Sequence, residues 1–180
     1  MQRGNPDVAR QFALHFDGIK TKVGDLDFEV SDASIATSTG IPNTGERWFQ
    51  SMILNASFSK EFLKPDYQTY NLSKGVPRSH LVEDFDKMLK IIQGYFMCEG
   101  RINMLYQYHI SLLLHFTGKY IMNIPFYLLR SMGKMSDRVQ AKSKATYTSV
   151  FHFGLIRMLV MGELKKRNIP WEKIIISSHM

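Results

Sequence analysis

The stretch SVFHFGLIRMLVMGELKKR, residues 149 to 167, constrains the fold most, because read as a helix it is apolar almost all the way round. Val150, Phe151, Phe153, Leu155, Ile156, Met158, Leu159 and Val160 leave no broad polar face. Such a helix is stable only when other elements enclose it. The expectation is a central core helix within a helical body. Lys165, Lys166 and Arg167 suit the negative end of its dipole, and Asn168 followed by Pro170 stops it.

Other segments supply companions for that helix. Leu81, Phe85, Met88, Leu89, Ile92 and Phe96 fall on one stripe at helical spacing, with Glu83, Asp86, Lys87 and Lys90 off it. Ile102, Leu105, His109, Leu112 and Phe116 make a second stripe, which Gly118 ends. Pro125 fits the first turn of a helix over IPFYLLRSM, where its missing N–H costs nothing. The polar basic stretch 133 to 149 reads as a separator before the last helix. IPWEKIIISSHM closes the sequence as a short helix or an added strand.

The first third is mixed. Val8, Phe12 and Phe16 give a short helix over residues 7 to 16, and KTKVGDLDFEV reads as a turn and a short half-buried strand. Ser31 or Asp32 can cap a short helix DASIATST that Gly40 ends. Pro65, Gly75 and Pro77 mark a connecting segment. The fold class is therefore mainly α, a helical bundle-like body with a small N-terminal α+β element of one or two short strands. The expected layout is a small unit 1–56 packed on the body, a connection 57–78 and a helical body 79–180, within one compact domain of 180 residues.

GIPNTGERWFQ, residues 40 to 50, has glycines at the spacing of a phosphate-binding loop. That loop needs backbone N–H groups around the phosphates, a Lys for the β/γ oxygens and a Ser/Thr for magnesium. Pro42 removes a donor, and Glu46 and Arg47 stand where Lys and Ser/Thr are required. The stretch reads instead as a turn and anchor. Gly40, Pro42 and Gly45 reverse the chain, and Trp48 and Phe49 fix it to the body.

Charge is uneven. Residues 1 to 100 hold 11 Lys/Arg against 13 Asp/Glu, and residues 101 to 180 hold 12 against 3, so the net +7 is −2 plus +9. A basic half attracts nucleic acid or another anionic surface, although a soluble shell of Lys and Arg around a helical core would carry the same charge. The lone Cys98 fits a reducing compartment, and the opening MQRGNPDVARQF lacks a secretory h-region. An intracellular protein is expected, in nucleus or cytoplasm. Asn55-Ala-Ser57 and Asn71-Leu-Ser73 are then chance matches to a glycosylation pattern. INMLYQYHISLLLHF is too short to span a bilayer and reads as a buried helix, so no membrane partner is expected.

Catalytic constellations do not emerge. His15, His80, His109, His115, His152 and His179 are scattered without metal-ligand spacing, and Cys98 has only Glu99 beside it, which disfavours a thiolate. Glu83, Asp84 and Asp86 sit on the polar side of a helix, and Met104, Met122, Met132, Met135, Met158 and Met161 read as adaptable core filler. No cofactor, metal site or small-molecule substrate is assigned.

Three blocks nevertheless resemble a known family. NPDVARQF with KVGDLDFEVSDASIATSTGIPNTGERWF, then IPFYLLRSMGKMSDRVQAKS, then SVFHFGLIRMLVMGELKKRNIPWEKI, together cover most of the chain. They are similar to the plant transposon proteins, domains of retrotransposon-derived reading frames in plant genomes. That resemblance implies a retroelement origin and no transferable activity. The chain has no Asp-[Ser/Thr]-Gly of an aspartic protease, no Tyr-x-Asp-Asp of a reverse transcriptase and no Cys/His knuckle. Asp137, Glu163 and Glu172 are the only acids after residue 100.

Two function classes stay open. The first is a non-enzymatic binding or assembly module, self-associating or contacting nucleic acid through the basic half. Its contact residues would be Arg130, Lys134, Arg138, Lys142 and Lys144, with Lys165, Lys166 and Arg167 beyond, and Tyr147 to stack on a base. The alternative is the remnant of a transposon enzyme, a metal-dependent nuclease or transposase, with carboxylates converging from distant elements. The sequence leaves open whether the chain is a piece of a longer polyprotein.

Overall fold

The computed structural model describes residues 6–47, 61–67, 75–96, 103–141 and 152–174. It is mainly α-helical, with two small antiparallel sheets among the described residues. The chain groups into two compact units: Met1–Asn43 with Ile124–Met180, and Thr44–Asn123. Of the expected connection 57–78, the described parts 61–67 and 75–78 belong to the second unit and carry short 3-10 turns and a two-residue strand.

In the first unit, helix α1 (Pro6–His15) turns its Val8, Ala9, Phe12 and Ala13 inward. A hairpin follows, with β1 (Lys20–Val23) and β2 (Leu26–Glu29) paired from Lys20↔Glu29 to Val23↔Leu26. Of the one or two short strands expected, there are two here, because period-two alternation runs on both sides of Gly24-Asp25. Gly24 has a φ of 59°, so it supplies the left-handed first position that a two-residue turn of this kind requires. Val23, Leu26, Phe28 and Val30 are buried, and Phe12 lies with its ring 5.2 Å from Phe16 and 6.3 Å from Phe28. The buried Thr21 hydroxyl donates to the Phe12 carbonyl at 2.9 Å, which ties hairpin to helix.

Helix α2 (Asp32–Thr39) starts at Ser31, whose hydroxyl accepts from the Ser34 N–H at 3.1 Å while the Ser34 hydroxyl accepts from the Ser31 N–H at 2.9 Å. Such reciprocal capping contributes about 1 kcal/mol. Gly40, left-handed at φ 73°, ends the helix as expected. Helix α5 (Ile124–Ala141) and helix α6 (Phe153–Lys166) complete this unit, α1 and α2 each packing against both.

Two sequence expectations need correction here. The stretch 133–149 is not a polar separator as far as Ala141, because α5 runs through it. Met132, Met135, Ser136 and Val139 continue its buried face, and two of the polar residues that disguise the pattern, Ser131 and Ser136, are themselves buried. Nor is α6 enclosed all round. It buries Leu155, Ile156, Leu159, Val160 and Leu164 but leaves Phe153 37%, Met158 42% and Met161 42% exposed.

In the second unit, α3 (Glu83–Phe96) and α4 (Gln107–Phe116) pack together beside a minimal sheet, β3 (Val76–Pro77) against β4 (Met104–Leu105). Leu89 and Ile92 of α3 are buried, and Phe85 meets Phe62 edge-on at 4.6 Å. Leu105, expected on the helical stripe of α4, is instead a buried strand residue. Helix α4 ends in a Schellman arrangement: the Gly118 N–H bonds the His115 carbonyl at 3.0 Å and the Lys119 N–H bonds the Leu114 carbonyl at 2.9 Å. Gly118 adopts the required φ of 73°.

Candidate nucleic-acid interface

Helix α5 carries Arg130, Lys134 and Arg138 of the expected basic contact residues. Its core face is set by Tyr127, Leu128, Met132, Met135 and Val139. Away from that face, Phe126, Arg130, Lys134 and Arg138 recur at spacing four, which brings them to one line along the helix. Arg130 and Arg138 are exposed and Lys134 is half-buried. The Arg130 guanidinium lies 5.2 Å from the centre of the half-buried Phe126 ring, a cation–π contact. Lys134 and Arg138 also interact within the protein.

The three basic residues at the end of α6 behave differently. Arg167 donates from Nε to Glu163 at 2.8 Å and from Nη2 to the Asp27 carbonyl at 2.7 Å, and Lys166 bonds Glu163 at 3.2 Å. Burial pushes the Glu163 carboxyl up, yet the hydrogen bonds from Arg167 and Lys166 together outweigh it and hold the group below its ordinary value. Arg167 thus pins the end of α6 to the outer edge of β2, occupying a strand carbonyl that would otherwise be open to another chain. It also borders a cleft of about 460 Å³ shared with His15, Lys20, Lys22, Asp27 and Glu29. Lys20 faces Glu29 there at 3.5 Å, so cation and carboxylate largely offset each other. Lys165 is exposed.

Lys142, Lys144 and Tyr147 lie outside the described residues. Among the described residues, Phe126 stands beside the basic line, and the sequence reading did not single it out. Its spacing of four before Arg130 is a readable signal once the helix is known to start at Ile124.

Of the 40–50 stretch, residues 40 to 47 are described. Gly40 closes α2, while Gly45, at φ 99°, lies so close to the next strand of chain that a Cβ there would come within 2.8 Å of the Met122 carbonyl carbon. Glu46 then makes a parallel bridge with Met122: its N–H bonds the Ile121 carbonyl at 3.0 Å and its carbonyl accepts from Asn123 at 2.9 Å. The Tyr120 hydroxyl donates to the Glu46 carboxylate at 2.6 Å. Pro42 is exposed, and Trp48 and Phe49 lie outside the described residues.

The second unit has its own cleft of about 730 Å³, lined by Lys64, Arg78, Ser79, Leu81, Glu83, Asp86 and Asn103. Its charges are used internally. Arg78 Nε donates to Asp86 at 2.5 Å, Lys90 reaches the same carboxylate at 2.9 Å, and Lys64 donates to the Ser79 carbonyl at 2.8 Å. The Arg78 hydrogen bond holds Asp86 below the usual carboxylate range against a smaller opposing effect of burial. Among the described residues no three His, Cys, Asp or Glu side chains gather as a metal site would require. His109 is buried, its Nδ1 accepting the Tyr106 N–H at 2.7 Å, and His152 Nε2 stands 3.2 Å from the Ser131 hydroxyl.

Fold and surface together define a mainly helical protein whose first unit presents a basic helix line. Set against protein-family models, curated proteins and solved structures, the chain matches none of them. No helix among the described residues is long and apolar enough to cross a membrane.

Proposed function

We propose that this chain is a non-enzymatic module of retroelement origin that contacts nucleic acid through the basic line of α5. The observation that carries the reading is the alignment of Arg130, Lys134 and Arg138 on one helix, flanked by the next basic residues of the sequence, Lys142 and Lys144. The first unit also holds most of the positive charge. Met1–Asn43 with Ile124–Met180 contains 14 Lys/Arg against 9 Asp/Glu, a net +5, whereas Thr44–Asn123 contains 9 against 7, a net +2. The retroelement origin is supported by the three resembling sequence blocks.

The test is binding to short DNA and RNA across a salt series. Each phosphate neutralised on a duplex contributes a slope of about −0.9 in log K against log salt, so the variant R130Q/K134Q/R138Q should flatten the slope by roughly 2 to 3. Absence of binding at about 50 mM salt, where phosphate contacts are strong, would refute the reading. The exposed Phe153, Met158 and Met161 of α6 favour self-association as a second reading, which light scattering on the same sample tests.

A further inference from the structure

We infer that the nucleic acid taken by α5 is single-stranded, with one base stacked on the Arg130 guanidinium. This inference rests on the proposed function and specifies its ligand. The argument starts from the pair Phe126 and Arg130. The guanidinium carbon lies 5.2 Å from the Phe126 ring centre, a cation–π contact, and Arg130 is exposed, so the same group can meet a ring and a ligand from solvent. A planar cation backed by an aromatic ring is a stacking plate for a nucleobase. It also costs little ordering, because the ring already restrains the long side chain.

Below the plate, Lys134 and Arg138 follow at intervals of about 6 Å, four residues at about 1.5 Å rise each. That line suits successive phosphates on one strand. A duplex can offer the phosphates, but its base faces are stacked inside and never reach the plate. An unpaired strand offers both together. Arg is the required residue: a Lys at 130 would keep the charge and lose the flat face.

Equilibrium binding of labelled 12-nucleotide single strands, an abasic strand of the same length and a 12-base-pair duplex, at about 50 mM salt, separates the possibilities. The single strand should bind more tightly than the abasic strand, which has phosphates without bases. Arg130→Lys should weaken the single strand by about five- to tenfold, the order of one lost base stack, and leave the abasic strand and the duplex within about twofold. Phe126→Leu should act in the same direction, and Lys134→Gln should weaken all three ligands. If abasic and normal strands bind equally and Arg130→Lys changes neither, the stacking inference fails while nucleic-acid binding stands. If none of the three ligands binds, the proposed function fails, and this inference with it.

Discussion

Helices α4 and α6 are both strongly apolar, yet the two units enclose them differently. In α4 every residue from His109 to Leu114 is buried, a histidine and a serine included. In α6 the buried residues keep to one side, and Phe153, Met158 and Met161 face outward. Apolar content pointed to burial of both helices, and only α4 is enclosed to that extent. Within α4, His109 Nδ1 accepts the N–H of Tyr106, which would otherwise be an orphan donor at the helix start. Among the described elements of the first unit, α1 and α2 are the helices that pack most against α6.

The largest effect expected from this contrast is in the cores. Leu113→Ala, deep in α4, should cost about 3 to 5 kcal/mol in chemical denaturation, because it removes a fully buried side chain from a continuous run of buried residues. Met158→Ala on α6 should stay within about 0.5 kcal/mol. Equal losses from the two substitutions would break the comparison.

The glycines sharpen it next. Gly40 in the first unit and Gly45 in the second are both left-handed, at φ 73° and 99°. A Cβ at Gly40 meets nothing within 4 Å, whereas at Gly45 it would collide with Met122 backbone at 2.8 Å and Ile121 at 2.9 Å. Gly40→Ala should cost only the backbone strain, about 1 to 2 kcal/mol. Gly45→Ala should exceed that by at least about 1 kcal/mol, since backbone must shift as well. A smaller loss at Gly45 would show that the Glu46–Met122 bridge yields easily.

These positions also mark how much was legible in the sequence. Local signals carried through. Gly40 and Gly118 ended their helices, and Ser31 capped α2. What failed depended on distant partners. The extent of α5 was hidden because Ser131 and Ser136 look like surface residues until the helices that bury them are known. The grouping of Met1–Asn43 with Ile124–Met180 leaves no trace in local composition. Arg167 reads as a free basic residue, and only the fold reveals that Glu163 and the Asp27 carbonyl occupy it. The basic residues of α5 were visible one by one, but their alignment needed the helix boundary.

Ion pairs give a smaller contrast. Arg78, partly buried, serves Asp86 and Gln93 together, while Lys20 and Glu29 meet at 3.5 Å in solvent. Arg78→Ala should cost about 1 to 2 kcal/mol and Lys20→Ala almost nothing, as exposed pairs generally contribute little. The Asp86 contribution has a defined pH window. Its folded pKa is depressed below 3.8, so the stability is fully present above that value and is lost as pH falls through the lower folded one. An acid titration of stability in which Arg78→Ala and the parent chain converge would support the assignment, and a constant gap would oppose it.

The smallest effect concerns His115, at the turn that carries the bridge of the second unit. Its Nδ1 lies 3.2 Å from the Met122 N–H and 3.2 Å from the Tyr120 carbonyl. One nitrogen cannot serve both at once: accepting from Met122 requires the lone pair, and donating to Tyr120 requires the proton. Burial disfavours the charged ring and outweighs the Tyr120 carbonyl, so the folded pKa sits below 6.5. The unfolded chain therefore binds the extra proton first. Stability is full above 6.5 and declines as pH falls toward the folded value, where protonation also removes the acceptor for Met122. Met122 is the residue that Glu46 bridges, so the loss should appear as faster amide exchange at Glu46 and Asn123 before global unfolding. His115→Gln should flatten the decline between about pH 7 and pH 5. A slope that survives the substitution would place the proton elsewhere and leave the turn indifferent to pH.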